Sequence, residues 1–232
     1  YSLAKELGHK IIKPLPALVQ LKSKENYFKT LAGVRTEAYI KLFVNDKLTA
    51  EEKGELLIAN YGVSGIPIFQ LSRFAAKALS ERKVVELKID FLPSLNWKDT
   101  FDLISERMRS NPKKTAEESL VGLFNNKLGF VMLKEAGIDA ASNCEKIIKN
   151  NVTDLVNQIK EWKIPIYDTN SFEQAQVSAG GVDTTEITPS TMESKLVKGL
   201  YLTGELVDVD GTCGGYNLQW AWTTGAVAGM SL

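Results

Sequence analysis

Gly199-Leu-Tyr-Leu-Thr-Gly-Glu205, Asp208-Val-Asp-Gly-Thr-Cys-Gly-Gly-Tyr-Asn217 and Leu218-Gln-Trp-Ala-Trp-Thr-Thr-Gly225 follow one another near the end of a 232-residue chain. The first block is a short apolar run closed by Thr-Gly-Glu, which predicts a strand ending at Glu205. The second is dense in glycine and lets backbone approach a ligand without intervening side chains. Asn217 is the expected cap of a helix whose free N–H groups and dipole favour negative charge by about 0.5–1 kcal/mol. Leu218, Ala221, Trp222, Gly225, Ala226 and Gly229 form a small-residue stripe expected to pack against a sheet. Together these blocks predict a strand–loop–helix unit that receives a polar, phosphate-bearing ligand. A tight turn before an amphipathic helix explains the glycine spacing equally well. Glu205 suits the hydroxyls of a sugar or ribityl chain, and a solvent-exposed loop acid is its ordinary alternative.

Composition narrows the function classes. Hydrophobic residues make up 44% and charged residues 24% of the chain, as in a globular protein. Lys+Arg and Asp+Glu each number 28, so the formal net charge is zero. That balance gives no support for a nucleic-acid partner or an anionic membrane surface. No apolar run is long enough to span a bilayer, and no signal peptide opens the chain. Cys144 and Cys213 show no ligand spacing, and His9 is the single histidine, so no metal site is expected. A reduced, cytoplasmic setting is the simplest reading. The chain starts at Tyr1 and closes on the helical pattern Gly229-Met-Ser-Leu232, which suggests a fragment of a longer protein.

Between the ends the patterning changes twice. Ile40, Leu42 and Val44 alternate with Tyr39, Lys41 and Phe43 as in a strand, and Asn45-Asp46 reads as a turn. Gly54–Ala59 and Val84–Asp90 are further strands, and Pro14 and Pro16 confine their segment to an edge or a crossing connection. Tyr61-Gly-Val-Ser-Gly-Ile-Pro67 is a tight loop that needs Gly62 and Gly65. A helix follows from Ile68 to Ser80. Past Pro93 the pattern becomes helical: Asn96 caps a helix over Trp97–Arg109, Thr115 with Glu118 forms a capping box, and Leu128–Ala136, Cys144–Lys149 and Val152–Trp162 are further helices. Trp97 and Trp162 are expected in the core. Ile164–Tyr167 is extended. His9 is expected to end the first helix.

The blocks Gly180-Gly-Val-Asp183, Thr191-Met-Glu-Ser-Lys195, Gly204-Glu-Leu-Val-Asp-Val-Asp-Gly211 and Gly214-Gly-Tyr-Asn-Leu-Gln-Trp-Ala-Trp222 together resemble the BaiN/RdsA-type NAD(P)/FAD-dependent oxidoreductases. Gly8-His-Lys-Ile-Ile12, Pro16-Ala-Leu-Val-Gln-Leu21 and Tyr61-Gly-Val-Ser-Gly-Ile-Pro67 match the same family, so the resemblance covers nearly the whole chain.

The resemblance implies an α+β fragment of an α/β flavoprotein. A β-barrel-like subdomain (15–93) and a helical subdomain (94–173) would form an insert, 15–173, within a Rossmann-like FAD-binding domain made of 1–14 and 174–232, incomplete here. Gly204, Glu205, Gly214, Gly215, Tyr216, Asn217 and Leu218 are the implied cofactor-binding residues. FAD belongs to the full-length parent and NAD(P)H is the possible reductant. Tyr61, Ser64, Cys213 and Tyr216 are catalytic candidates. Each has an ordinary structural alternative: Tyr61 and Ser64 build a turn, Tyr216 packs, and Cys213 lacks a CxxC partner. The partner is a small organic substrate, with the oligomeric state open. A non-catalytic flavin- or nucleotide-binding or regulatory module is the alternative function. Two departures stand out. The family's Gly-x-Gly-x-x-Gly loop is absent, so the fragment is expected to bind FAD weakly or not at all. Asn60 also stands where the family usually has His before the aromatic-Gly-x-Ser-Gly loop.

Overall fold

The computed structural model describes residues 1–232. In chain order the elements are α1 (Ser2–Glu6), β1 (Ile11–Ala17), β2 (Leu21–Lys22), α2 (Phe28–Leu31), β3 (Arg35–Val44), β4 (Lys47–Ala59), β5 (Gly62–Ser64), α3 (Ile66–Ser80) and β6 (Val85–Asp90). They continue as α4 (Trp97–Arg109), α5 (Ala116–Leu120), α6 (Asn126–Glu135), α7 (Lys149–Lys160), β7 (Trp162–Ile166), β8 (Asp168–Thr169), β9 (Val177–Val182) and α8 (Tyr216–Met230). The chain divides into two compact units, one of Tyr1–Gln20 with Thr169–Leu232, the other of Leu21–Asp168.

The Leu21–Asp168 unit is organised by an antiparallel sheet in the order β7-β6-β3-β4-β5-β2-β8. Ala38, Ile40 and Leu42 on β3, with Val85, Leu87 and Ile89 on β6, turn one face into the core, as the period-two alternation requires. β3 and β4 form a hairpin across Asn45-Asp46, both with positive φ (48° and 62°). That pairing of left-handed residues matches the twist of a two-residue hairpin. β4 begins at Lys47, earlier than the strand expected from Gly54, because its charged N-terminal half pairs along β3 while facing solvent.

The expected β-barrel-like subdomain is an open sheet, with β7 and β8 at its two edges and no ladder joining them. β7 carries Pro165, which has no N–H to offer a further strand. Helices α4 to α7 share one hydrophobic cluster with the sheet through Ile104, Leu128, Leu155, Val156 and Ile159. The expected caps form: Asn96 Oδ1 accepts from the Asp99 N–H at 2.9 Å, and Thr115 and Glu118 exchange the two bonds of a capping box. Trp162, expected at a helix end, instead opens β7 and is buried against Tyr27 and Phe91. Cys144–Lys146 is only a short 3₁₀ turn. Gly65 caps α3 at φ 108°, and a Cβ there would stand 2.4 Å from the Glu55 carbonyl oxygen.

In the other unit β1 and β9 pair antiparallel, with a register shift between Ile12 and Leu15 that accommodates Pro14. His9, beyond the end of α1, is buried. Its Nδ1 lies 2.8 Å from Glu186 Oε2 and its Nε2 2.9 Å from Ser194 Oγ. Ser194 Oγ already accepts from the amides of Leu196 and Val197, both at 3.0 Å. A hydroxyl has two acceptor sites and one proton, so the proton goes to His9 Nε2. The ring proton therefore sits on Nδ1, which donates to Glu186. The Lys10 N–H donates to the same carboxylate oxygen at 3.0 Å, and the Lys10 ammonium holds Asp183 far below the usual carboxylate range. At the unit's edge the Asn170 N–H donates to the Gln20 carbonyl at 2.9 Å and the Asn170 amide to Gln20 Oε1 at 3.1 Å, while within the other unit the Tyr167 N–H donates to the Lys22 carbonyl at 3.1 Å.

Two outcomes test these assignments. Ser194→Ala orphans the buried His9 Nε2, at about 1–3 kcal/mol, and releases the more exposed amides of Leu196 and Val197 to water. Hydrogen exchange at Leu196 and Val197 is expected to accelerate more than tenfold, and unchanged protection would exclude the network. Gly65→Ala is expected to destabilise the sheet-bearing unit by about 2 kcal/mol or more through left-handed strain and the clash with Glu55, read by urea denaturation with Trp162 fluorescence.

Candidate functional site

The site read from the sequence lies at the N-terminal end of α8. Leu200–Leu202 is extended but forms no strand. It bonds to the neighbouring 192–194 segment, where the Leu202 N–H reaches the Met192 carbonyl and Tyr201 makes a lone bridge to Glu193. Gly204–Leu206 then turns as a 3₁₀ helix. The expected strand is therefore corrected to an extended segment plus a turn: a ladder needs neighbours on the sheet, and the segment's partners are a local bend.

α8 starts two residues earlier than a cap at Asn217 would place it. Gly215 is its cap, at φ 90° and ψ −1°, a left-handed conformation at little cost only to glycine. Asn217 is thus not the cap. It sits in the first turn and reaches back, its Oδ1 accepting from the Gly211 N–H at 2.8 Å and its Nδ2 donating to the Gly211 carbonyl at 3.0 Å. Those two bonds close the glycine loop into a ring-like clasp. With no side chain on the cap, the N–H groups of Tyr216, Asn217 and Leu218 stay open, and the first helical bond runs from the Gln219 N–H to the Gly215 carbonyl at 2.9 Å.

The body of α8 is anchored by polar contacts. The Gly204 N–H donates to Thr224 Oγ1 at 3.0 Å, and Trp220 Nε1 donates to the Gly204 carbonyl at 3.1 Å. The inward face is therefore Trp220, Ala221, Thr224, Val227 and Ala228. The expected small-residue stripe faces outward except for Ala221: Leu218 and Trp222 are exposed, and Gly225 and Gly229 have nothing near them.

Glu205 is exposed, its carboxylate accepting from the Ser178 N–H at 3.3 Å and its carbonyl from the Tyr1 hydroxyl at 3.2 Å. Gly214, Gly215, Tyr216, Asn217 and Leu218 lie at this end of α8, with Tyr216 and Leu218 exposed, whereas Gly204 packs against the middle of the helix at Ala221 and Thr224. Cys213 is half-buried in the loop, and burial pushes its thiol upward, away from the reactive thiolate.

Tyr61 and Ser64 belong to the Leu21–Asp168 unit. Asn60 and Tyr61 form the turn between β4 and β5, and Ser64 is buried in β5. Sequence reasoning missed two groups there and in the His9 network. Ser23 Oγ is buried without a partner, on the segment whose N–H donates to the Tyr61 carbonyl. The His9–Glu186–Ser194 chain joins residues 177 and 185 positions apart. Neither leaves a local signal, because both depend on tertiary burial. No group of three or more His, Cys, Asp or Glu side chains could hold a metal ion, and no helix is long and apolar enough to cross a membrane.

The site's donors are backbone N–H groups at an exposed helix start, with a side-chain-free loop before them. That set fits a phosphate or the electron-rich edge of a flavin. Residues 15–177 match the family described as HI0933-like protein barrel and H2TH domain. The chain is 44% identical over 231 residues to a 3-dehydro-bile acid delta(4,6)-reductase of Clostridium scindens, covering 100% of this chain and 56% of that protein. It is 32% identical over 234 residues to a ribosomal RNA dihydrouridine synthase of Haemophilus influenzae, covering 100% and 55%. It is 27% identical over 231 residues to a protein of the same name from Escherichia coli, covering 97% and 53%. The chain spans about half the length of these curated relatives.

Replacing Asn217 by Ala removes both clasp bonds while leaving a good helix former. Hydrogen exchange at Gly211–Gly215 is expected to rise several-fold with α8 still helical, and unaltered exchange would show that the loop holds its shape without Asn217.

Proposed function

The chain belongs to the HI0933-like family of BaiN/RdsA-type flavoproteins, and on that premise we propose that it forms part of an FAD-dependent oxidoreductase reduced by NAD(P)H. The observation that carries the reading is the open N-terminus of α8 behind a loop of Gly211, Gly214 and Gly215. FAD, when bound, supplies the hydride chemistry; the protein supplies position and polarity.

The chain's own residues have separable roles in this reading. The N–H groups of Tyr216, Asn217 and Leu218 donate to the cofactor's phosphate or flavin oxygens. Asn217 fixes the loop so that those donors are preorganised. Gly214 and Gly215 keep the approach clear in this reading, since a Cβ at Gly215 would stand in open space rather than against protein. Glu205 accepts from a ribityl or sugar hydroxyl with its second carboxylate oxygen, the first being turned to Ser178. The substrate we propose is a small organic molecule with a reducible carbon–carbon double bond. The relative named a delta(4,6)-reductase, which is named for reduction of this kind, supports that choice and is more similar to this chain than the ribosomal RNA dihydrouridine synthases. The Leu21–Asp168 unit would shape the substrate pocket.

The test uses the complete protein, purified and denatured to release bound flavin. Stoichiometric FAD is expected, bleached anaerobically by NADH or NADPH and restored by a conjugated enone. Bound FAD that neither nucleotide reduces would favour a non-catalytic module, and absence of flavin would overturn the assignment. Replacing Gly215 by Val is expected to lower FAD occupancy at least tenfold, with helical content retained.

A further inference from the structure

Within the Leu21–Asp168 unit, the start of α4, the end of α6, α7 and β7 enclose a cleft of about 630 Å³. That volume lies in the range of small-molecule sites. Its floor is aromatic. Tyr27 stands edge-on to the buried Trp162, ring centres 5.1 Å apart, and its hydroxyl accepts from Trp162 Nε1 at 3.1 Å. The Tyr27 proton itself has no protein acceptor. Burial, reinforced by Glu25 and Glu135, pushes its pKa far above the usual tyrosine value, so the group stays a donor. On the wall, Trp97 stacks one face on Phe101 at 5.4 Å, spends its Nε1 proton on Asn157 at 2.8 Å, and remains 42% exposed.

Charge accounting then selects a ligand class. Lys160 is consumed by Asp90 at 2.6 Å and by the carbonyls of Leu92 and Leu95. Glu161 is paired with Lys88 at 2.8 Å and lies 3.8 Å from Lys163. Glu25 and Glu135, also lining the cleft, make no ion pair. Lys163 also lines the cleft and is held only loosely by the already paired Glu161, so Glu25 and Glu135 leave the cleft net negative, beside an aromatic wall and one unspent hydroxyl proton. An anion would meet the carboxylates unfavourably, and a metal ion lacks a third ligand. A wholly apolar guest would desolvate both charges without return. An ammonium group answers both carboxylates, and its carbon body covers Trp97, where a cation over an indole gains further.

We propose that this cleft binds a small organic amine as its ammonium ion, Glu25 and Glu135 holding the charge and Trp97 the apolar body. Nothing in this assignment depends on the flavin reading. The test titrates the full chain with phenethylamine and, in parallel, with phenylacetate, which has the same ring and the opposite charge, using calorimetry and tryptophan fluorescence. Saturable binding of the amine is expected, with phenylacetate at least tenfold weaker. Glu25→Gln with Glu135→Gln is expected to weaken the amine at least tenfold, and Trp97→Leu several-fold, with unchanged circular dichroism. Equal binding of the two probes, displacement of the amine by equimolar magnesium, no saturable amine binding at millimolar concentrations, or an affinity unmoved by the glutamine pair would each overturn the proposal.

Discussion

One buried histidine holds together segments that the chain separates by most of its length. His9 donates to Glu186 and accepts from Ser194, so closing this contact draws together residues 177 positions apart. Loop closure over that length costs about 4–5 kcal/mol from the logarithmic term alone. The β1–β9 ladder and the His9 network offset that cost, and each has a different character. The ladder supplies many backbone bonds, whereas the histidine supplies uniqueness. Ser194 has no spare acceptor, Glu186 is shared with Lys10, and the imidazole fits in one tautomer only. A network so fully committed tolerates little rearrangement, because any displaced member leaves a buried polar group unpaired.

The arrangement at α8 follows from a similar economy of polar groups. Gly204 is held at both its amide and its carbonyl, by Thr224 and Trp220 one turn apart on the helix. These two bonds set the rotation of α8 about its axis. Once they are made, Leu218 and Trp222 must point outward, and the open amides of the first turn lie beyond the Asn217 clasp. The donor end of the helix is thus oriented by contacts near its middle, and the loop before it is left free of packing duties.

Much of the sheet and most helix caps were legible in the sequence, because they are local: alternation along β3 and β6, the Asn45-Asp46 turn, the bonds at Asn96 and Thr115, the strained glycine before α3. The glycine loop and the helix after it were legible as a loop–helix pair, and the family resemblance drew on those same residues. What escaped has physical reasons. Lys47–Lys53 is charged yet lies in a strand, since a two-faced sheet with one wet side accepts such residues. Trp162 was counted with the preceding helical pattern, although its indole belongs to the core beneath the sheet. On α8 nearly every side chain is small or apolar, so periodicity carries no direction and two hydrogen bonds decide the face. Leu200–Leu202 has the composition of a strand, but composition does not supply neighbours.

The bonds at Gln20–Asn170 and at Lys22–Tyr167 mark the places where the chain passes from one unit to the other and back. The two crossings run side by side, so everything from Leu21 to Asp168 enters and leaves through a single doorway. A module attached in that manner is modular in the evolutionary sense as well. It can be lengthened, trimmed or exchanged for another without moving Gln20 or Asn170, and the ring of contacts around His9 need not register the change. Change can then accumulate between Leu21 and Asp168 while the paired segments at either end of the chain stay under their own selection.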